Sequence, residues 1–95
     1  MNISSAEAHA LLEAWKDART PLRIRLAGKE FEATIDEISG PMVKLNTNSE
    51  SVEIDVYGAD FNGDARPKGS NQGAYLICEF RNGDRCSFYA DRKSA

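Results

Sequence analysis

The sequence predicts a mainly β domain of the α+β class, in which an N-terminal helix caps a small, strongly bent antiparallel sheet or barrel of six strands. Three observations predict it. One stretch near the N-terminus places Ala8, Leu11, Leu12, Trp15 and Ala18 at helical spacing. From Leu22 onward, apolar and polar residues alternate in short runs separated by Gly, Asn and Pro. Residues 77–88, ICEFRNGDRCSF, fold back around Asn82-Gly83 in a register that suits both faces of a hairpin.

The helix has a start and a stop written beside it. Ser4-Ser5-Ala6-Glu7 reads as a capping box, with Ser4 at the N-cap, Glu7 at the third helical position and Ile3 stapling onto Ala8. Pro21 ends the element, because a residue before proline disfavours the helical region. The helix therefore spans about residues 5–19 and offers its apolar stripe to whatever the strands build.

The strands occupy about residues 22–90. Leu22, Ile24 and Leu26 alternate with Arg23 and Arg25; after a turn at Gly28-Lys29, Phe31, Ala33 and Ile35 alternate with Glu32, Thr34 and Asp36. That turn would pair Arg25 with Glu32 and Leu26 with Phe31. Ser39-Gly40-Pro41 is the next turn, followed by Val43 and Leu45 pointing inward, the polar run 46–50, and a fourth strand in which Val52, Ile54 and Val56 alternate with Glu53 and Asp55. Residues 57–73, rich in Gly, Asn and Asp, read as a long loop, and a loop of that length inside a small domain is functional or mobile.

The last hairpin supplies strands five and six. With Arg81-Asn82-Gly83 as a three-residue loop and Gly83 in the left-handed position, Phe80 pairs with Asp84, Glu79 with Arg85, Cys78 with Cys86, Ile77 with Ser87 and Leu76 with Phe88. The two cysteines then face each other at a hydrogen-bonded site on the apolar face. The wider strand spacing there and the lack of a secretory signal in MNISSAEAH favour buried thiols over a disulfide.

Ninety-five residues make one domain, 1–95, able to bury about 60–70% of its unfolded surface. Fifteen carboxylates against twelve Lys and Arg argue against broad binding to nucleic acid or anionic membrane. No apolar run approaches the roughly 20 residues of a membrane helix. A cytoplasmic protein is the expectation.

The residues offer little for catalysis. His9, the single histidine, sits on the flank of the helix stripe, where a solvated role is expected, and no nucleophile accompanies it. Cys78, Cys86 and His9 lack zinc-ligand spacing. Asp60-Phe61-Asn62-Gly63-Asp64 alternates oxygen side chains as calcium loops do, but Ala65 stands where the loop needs glycine and Asn71 where it needs glutamate, so an Asn-Gly turn is expected. No phosphate-binding loop or nucleophile elbow is present. No catalytic residue, metal site or cofactor is therefore expected.

One cluster suggests a ligand. Arg19-Thr20-Pro21-Leu22-Arg23 and the downstream segment 36–42, DEISGPM, resemble the two motifs of PilZ domains, six-stranded barrels that bind cyclic di-GMP through Arg-x-x-x-Arg and an Asp/Asn-x-Ser-x-x-Gly turn. Arg19 and Arg23 match the first; Glu37 and Ser39 match the second, with Glu for Asp or Asn and Met42 in place of the final glycine. That resemblance implies a cyclic di-GMP site at Arg19, Arg23, Glu37 and Ser39, two guanidiniums clasping phosphate near a hydroxyl. In architecture the chain also resembles Sm-like barrels, which form RNA-binding rings; the Arg-Gly motif of that family is missing and the acidic charge disfavours RNA. ALLEAW before RTPLRIRL and FRNGDRCSF at the end resemble small uncharacterised bacterial proteins with one helix and a barrel of SH3, Sm or PilZ type. The function expected is that of a noncatalytic interaction module, binding another protein or its own copy through the row of Arg23 and Arg25 beside Glu32 and through the 57–73 loop.

Overall fold

The Ser4 hydroxyl accepts a hydrogen bond from the Glu7 amide at 3.1 Å while the Glu7 carboxylate accepts one from the Ser4 amide at 2.9 Å, so both halves of the predicted capping box form. The helix they start, α1 (Ser5–Ala18), stops at Arg19, which takes the left-handed conformation and donates its amide to carbonyls of the last turn. In the computed structural model, which describes residues 2–63 and 74–90, α1 is preceded by β1 (Asn2–Ile3) and followed by β2 (Leu22–Leu26), β3 (Lys29–Ser39), β4 (Met42–Asn46), β5 (Ser51–Asp55), β6 (Asp60–Gly63), β7 (Ala74–Glu79) and β8 (Arg85–Ala90).

The strands form one antiparallel sheet in the order β1-β6-β7-β8-β2-β3-β4-β5. Eight strands are present instead of six, and the sheet is not closed into a barrel. β1 and β5 stand at its two ends, each with a single strand neighbour among the described residues. The eleven-residue β3 belongs to both halves: its first part pairs with β2 and its second with β4, with a bulge between Ile35 and Glu37. The extra residue there bends the strand and folds the β4–β5 half over the rest. Ala8, Leu11, Leu12 and Trp15 of α1 fill the concave side together with Leu22, Ile24, Ile35, Val43, Leu45, Leu76 and Phe88 in one continuous core.

One of the two additional strands, β6, replaces part of an expected loop, and the other, β1, precedes the helix. Residues 57–63 of the expected 57–73 loop form a turn at Tyr57-Gly58 and then β6, which pairs Phe61 with Cys78 and Gly63 with Leu76; residues 64–73 lie outside the described part. Asn62-Gly63 is accordingly strand and not the expected turn. Gly63 is needed for close approach: a Cβ there would fall on the Tyr75 carbonyl oxygen and within 3.1 Å of the Leu76 Cα. Gly63→Ala is expected to cost about 1–3 kcal/mol, since backbone on both sides must move apart; thermal denaturation checks it.

The hairpin of β7 and β8 has the predicted register throughout, from Leu76–Phe88 to Glu79–Arg85, with Gly83 at φ +95° and the Phe80 amide donating to the Asp84 carbonyl at 2.8 Å. Cys78 and Cys86 are buried free thiols directly opposite each other. The β2–β3 hairpin departs from expectation. Its turn is Ala27-Gly28, so Arg25 faces Glu30 and Arg23 faces Glu32. Both turn residues have positive φ, +53° and +82°, as a type I′ turn requires, which places a non-glycine residue in the left-handed region. The two-residue shift leaves every side chain on its expected face.

Candidate functional site

α1 is fourteen residues long, roughly 21 Å, and packs against β3 and β6. It leaves the far end of the concave face open. There the β2–β3 turn and the β4–β5 loop, residues 47–50, wall a groove of about 740 Å3 with Leu26, Phe31 and Val52 among its lining residues. Each of these three side chains packs against the core on one side and remains partly exposed on the other. Lys29, Glu32 and Glu50 stand at the rim.

Both walls are held in place. Thr47 organises the β4–β5 loop: its hydroxyl accepts from the amides of Ser49 and Glu50 at 3.2 and 3.0 Å and donates to the Glu50 carbonyl at 2.9 Å, and its own amide donates to that carbonyl at 2.9 Å. On the opposite wall Glu30 accepts from Arg25 at 3.2 Å and Arg23 at 3.4 Å. These ion pairs are half exposed and contribute little to stability, but they orient the side chains on the sheet surface.

The residues suggested by the PilZ resemblance do not converge. Arg19 is the exposed C-cap of α1. Arg23 lies on the outer face of β2, ion-paired with Glu30 and with its guanidinium 4.8 Å from the centre of the Tyr89 ring. Glu37 is five residues further along β3 than the Glu32 opposite Arg23, about 16 Å of strand, and Ser39 lies beyond it at the β3–β4 turn. His9 marks where that turn sits. Its Nε2 is 3.0 Å from the Gly40 carbonyl oxygen, which can only accept, so the imidazole donates and ties the turn to the first half of α1. Arg19 is ten residues, roughly 15 Å of helix rise, from His9. The expected solvated His9 is thus a half-buried anchor between helix and turn.

Among the described residues no three His, Cys, Asp or Glu side chains come together in a way that could hold a metal ion, and no helix is long and apolar enough to cross a membrane. Compared with protein-family models, curated proteins and solved structures, the chain matches none.

The groove itself was only half legible. The alternation of Leu26, Phe31 and Val52 with charged neighbours marks them as apolar-face residues, and all three pack partly buried against the core. What identifies a groove is that four buried helix residues, Ala8 to Trp15, cannot cover three strand ends as well as the middle of the sheet.

Proposed function

We propose that this chain is a noncatalytic interaction module that receives an apolar side chain of a protein partner in the groove between the β2–β3 turn and the β4–β5 loop. The observation that supports it is the apolar lining itself. Leu26, Phe31 and Val52 form a concave surface with fixed walls and a polar rim, the arrangement in which a buried anchor residue gains most.

N-Acetylleucine amide, a probe of one apolar side chain with about a dozen heavy atoms, is expected to bind with a Kd of roughly millimolar order. Amide shifts in the labelled protein should cluster at Leu26, Phe31 and Val52. Cyclic di-GMP, titrated in parallel, should shift nothing. Saturable shifts at Arg19 and Arg23 with the nucleotide, and none at the groove with the leucine derivative, would replace this reading with a divergent cyclic di-GMP receptor.

A further inference from the structure

The groove opens beside a strand edge that has no partner among the described residues. β5 pairs with β4 on one side only. Two hydrogen bonds fix which of its backbone groups face outward: the Val56 amide donates to the Pro41 carbonyl and the Thr47 amide to the Glu50 carbonyl, both at 2.9 Å. Both bonds belong to the register that pairs Val43 with Ile54 and Leu45 with Val52. Hydrogen-bonded and non-hydrogen-bonded pairs alternate in an antiparallel ladder, so Val52 and Ile54 spend their backbone groups on β4. The N–H and C=O groups of Ser51, Glu53 and Asp55 therefore point off the edge of the sheet.

From this we infer that β5 accepts an added strand from a partner protein, and that this strand alternates basic and apolar residues. The inference rests on the interaction-module reading and specifies its ligand. Side chains directly opposite each other in a sheet share a face. A residue facing Val52 would point inward toward the groove, so an apolar one belongs there. Residues facing Glu53 and Asp55 would lie on the outer face against carboxylates, which favours Lys or Arg. Tyr57, 76% exposed, follows two residues after the end of β5.

The same arithmetic decides against a second copy as the occupant. Two β5 strands related by a two-fold axis must place inward residues opposite inward residues. Pairing Val52 with Ile54 sets Glu53 against Glu53, and pairing Ile54 with itself sets Glu53 against Asp55. Pairing Ile54 with Val56 sets Asp55 against Asp55, and Val52 against itself engages only residues 51–53 and brings Glu50 beside Ile54. An edge of this kind repels itself and is open to a basic strand.

The test uses two blocked heptapeptides, one alternating valine with lysine and the other valine with glutamate, and reads amide hydrogen exchange in the full chain. With the lysine peptide nine-tenths bound, exchange at Ser51, Glu53 and Asp55 should slow about tenfold, while the glutamate peptide leaves it unchanged. The double variant Glu53→Lys/Asp55→Lys should reverse that preference. Glu53→Pro, which removes an outward N–H without disturbing the β4 pairing, should abolish strand binding and keep binding of N-acetylleucine amide. Equal protection by both peptides would overturn the basic partner. Groove shifts without edge protection would overturn strand addition and leave the groove reading standing. Slow exchange at these three amides in the free protein, rising with its concentration, would make a second copy the occupant.

Discussion

Phe88→Ala is expected to lower stability by about 3–5 kcal/mol, the largest loss any single truncation should cause here. Phe88 is fully buried at the middle of β8, with Leu76 opposite on β7, Ile24 opposite on β2 and the Trp15 ring of α1 stacked on it at 6.4 Å. It is therefore the point where helix and sheet meet, and truncation leaves a cavity bordered by three strands and a helix that cannot all relax inward. For a chain of 95 residues, total stability is on the order of 5–14 kcal/mol, so the variant is left marginal. Urea denaturation followed by the fluorescence of Trp15, the only tryptophan, should show the midpoint falling by roughly 2 M. A change below about 1 kcal/mol would mean that the helix does not dock on this part of the sheet. Tyr57→Ala, at a side chain 76% exposed, serves as the contrast and should stay within about 0.5 kcal/mol.

What could be read from the sequence was whatever short-range chemistry determines. The capping box needs only Ser4 and Glu7 three residues apart, and the β7–β8 register needs only Gly83 and the requirement that Cys78, Cys86 and Phe88 share a face. β6 is not legible locally, because Asp60, Asn62 and Gly63 are turn formers by local preference; they become strand because β1 and β7 supply hydrogen bonds on both sides and Gly63 lets β7 approach. Ala27 at φ +53° is a second case. Left-handed backbone costs a non-glycine residue roughly 1–2 kcal/mol, and only the pairing of β2 with both β3 and β8 offsets it. The candidate site was hidden for a related reason. Leu26, Phe31 and Val52 look like core residues in sequence, and their exposure depends on how far α1 reaches across a sheet whose bend is set by a bulge within β3. The bend also accounts for the failure of Arg23 to meet Ser39, because the strand joining their neighbourhoods is long and runs away from β2 after the bulge.

The facing thiols predict a marked loss of stability in alkali. Burial pushes both Cys78 and Cys86 up to about 12 from an ordinary 9.0, and for Cys78 the neighbouring Cys86 adds to the effect. In the unfolded chain the thiols ionise near pH 9, whereas in the folded protein they hold their protons until about pH 12. Between those values the unfolded state binds fewer protons than the native state, so stability must fall as pH rises. The contribution is fully present below pH 9 and is lost on the way to pH 12. At roughly 1–1.5 kcal/mol per pH unit for each thiol, the pair removes on the order of 5 kcal/mol between pH 9 and pH 11, comparable with the whole stability of a small domain. Urea midpoints measured from pH 8 to 11 should therefore decline steeply, and the double variant Cys78→Ala/Cys86→Ala should start lower because of its cavities but decline with a shallower slope. Iodoacetamide at pH 8 should leave both thiols unmodified in the native protein and alkylate both in urea. Equal slopes for the two proteins, or rapid native alkylation, would show that the hairpin opens easily enough for the thiols to titrate from the folded state, and the tight packing of Phe88 against the same face would then be in question as well.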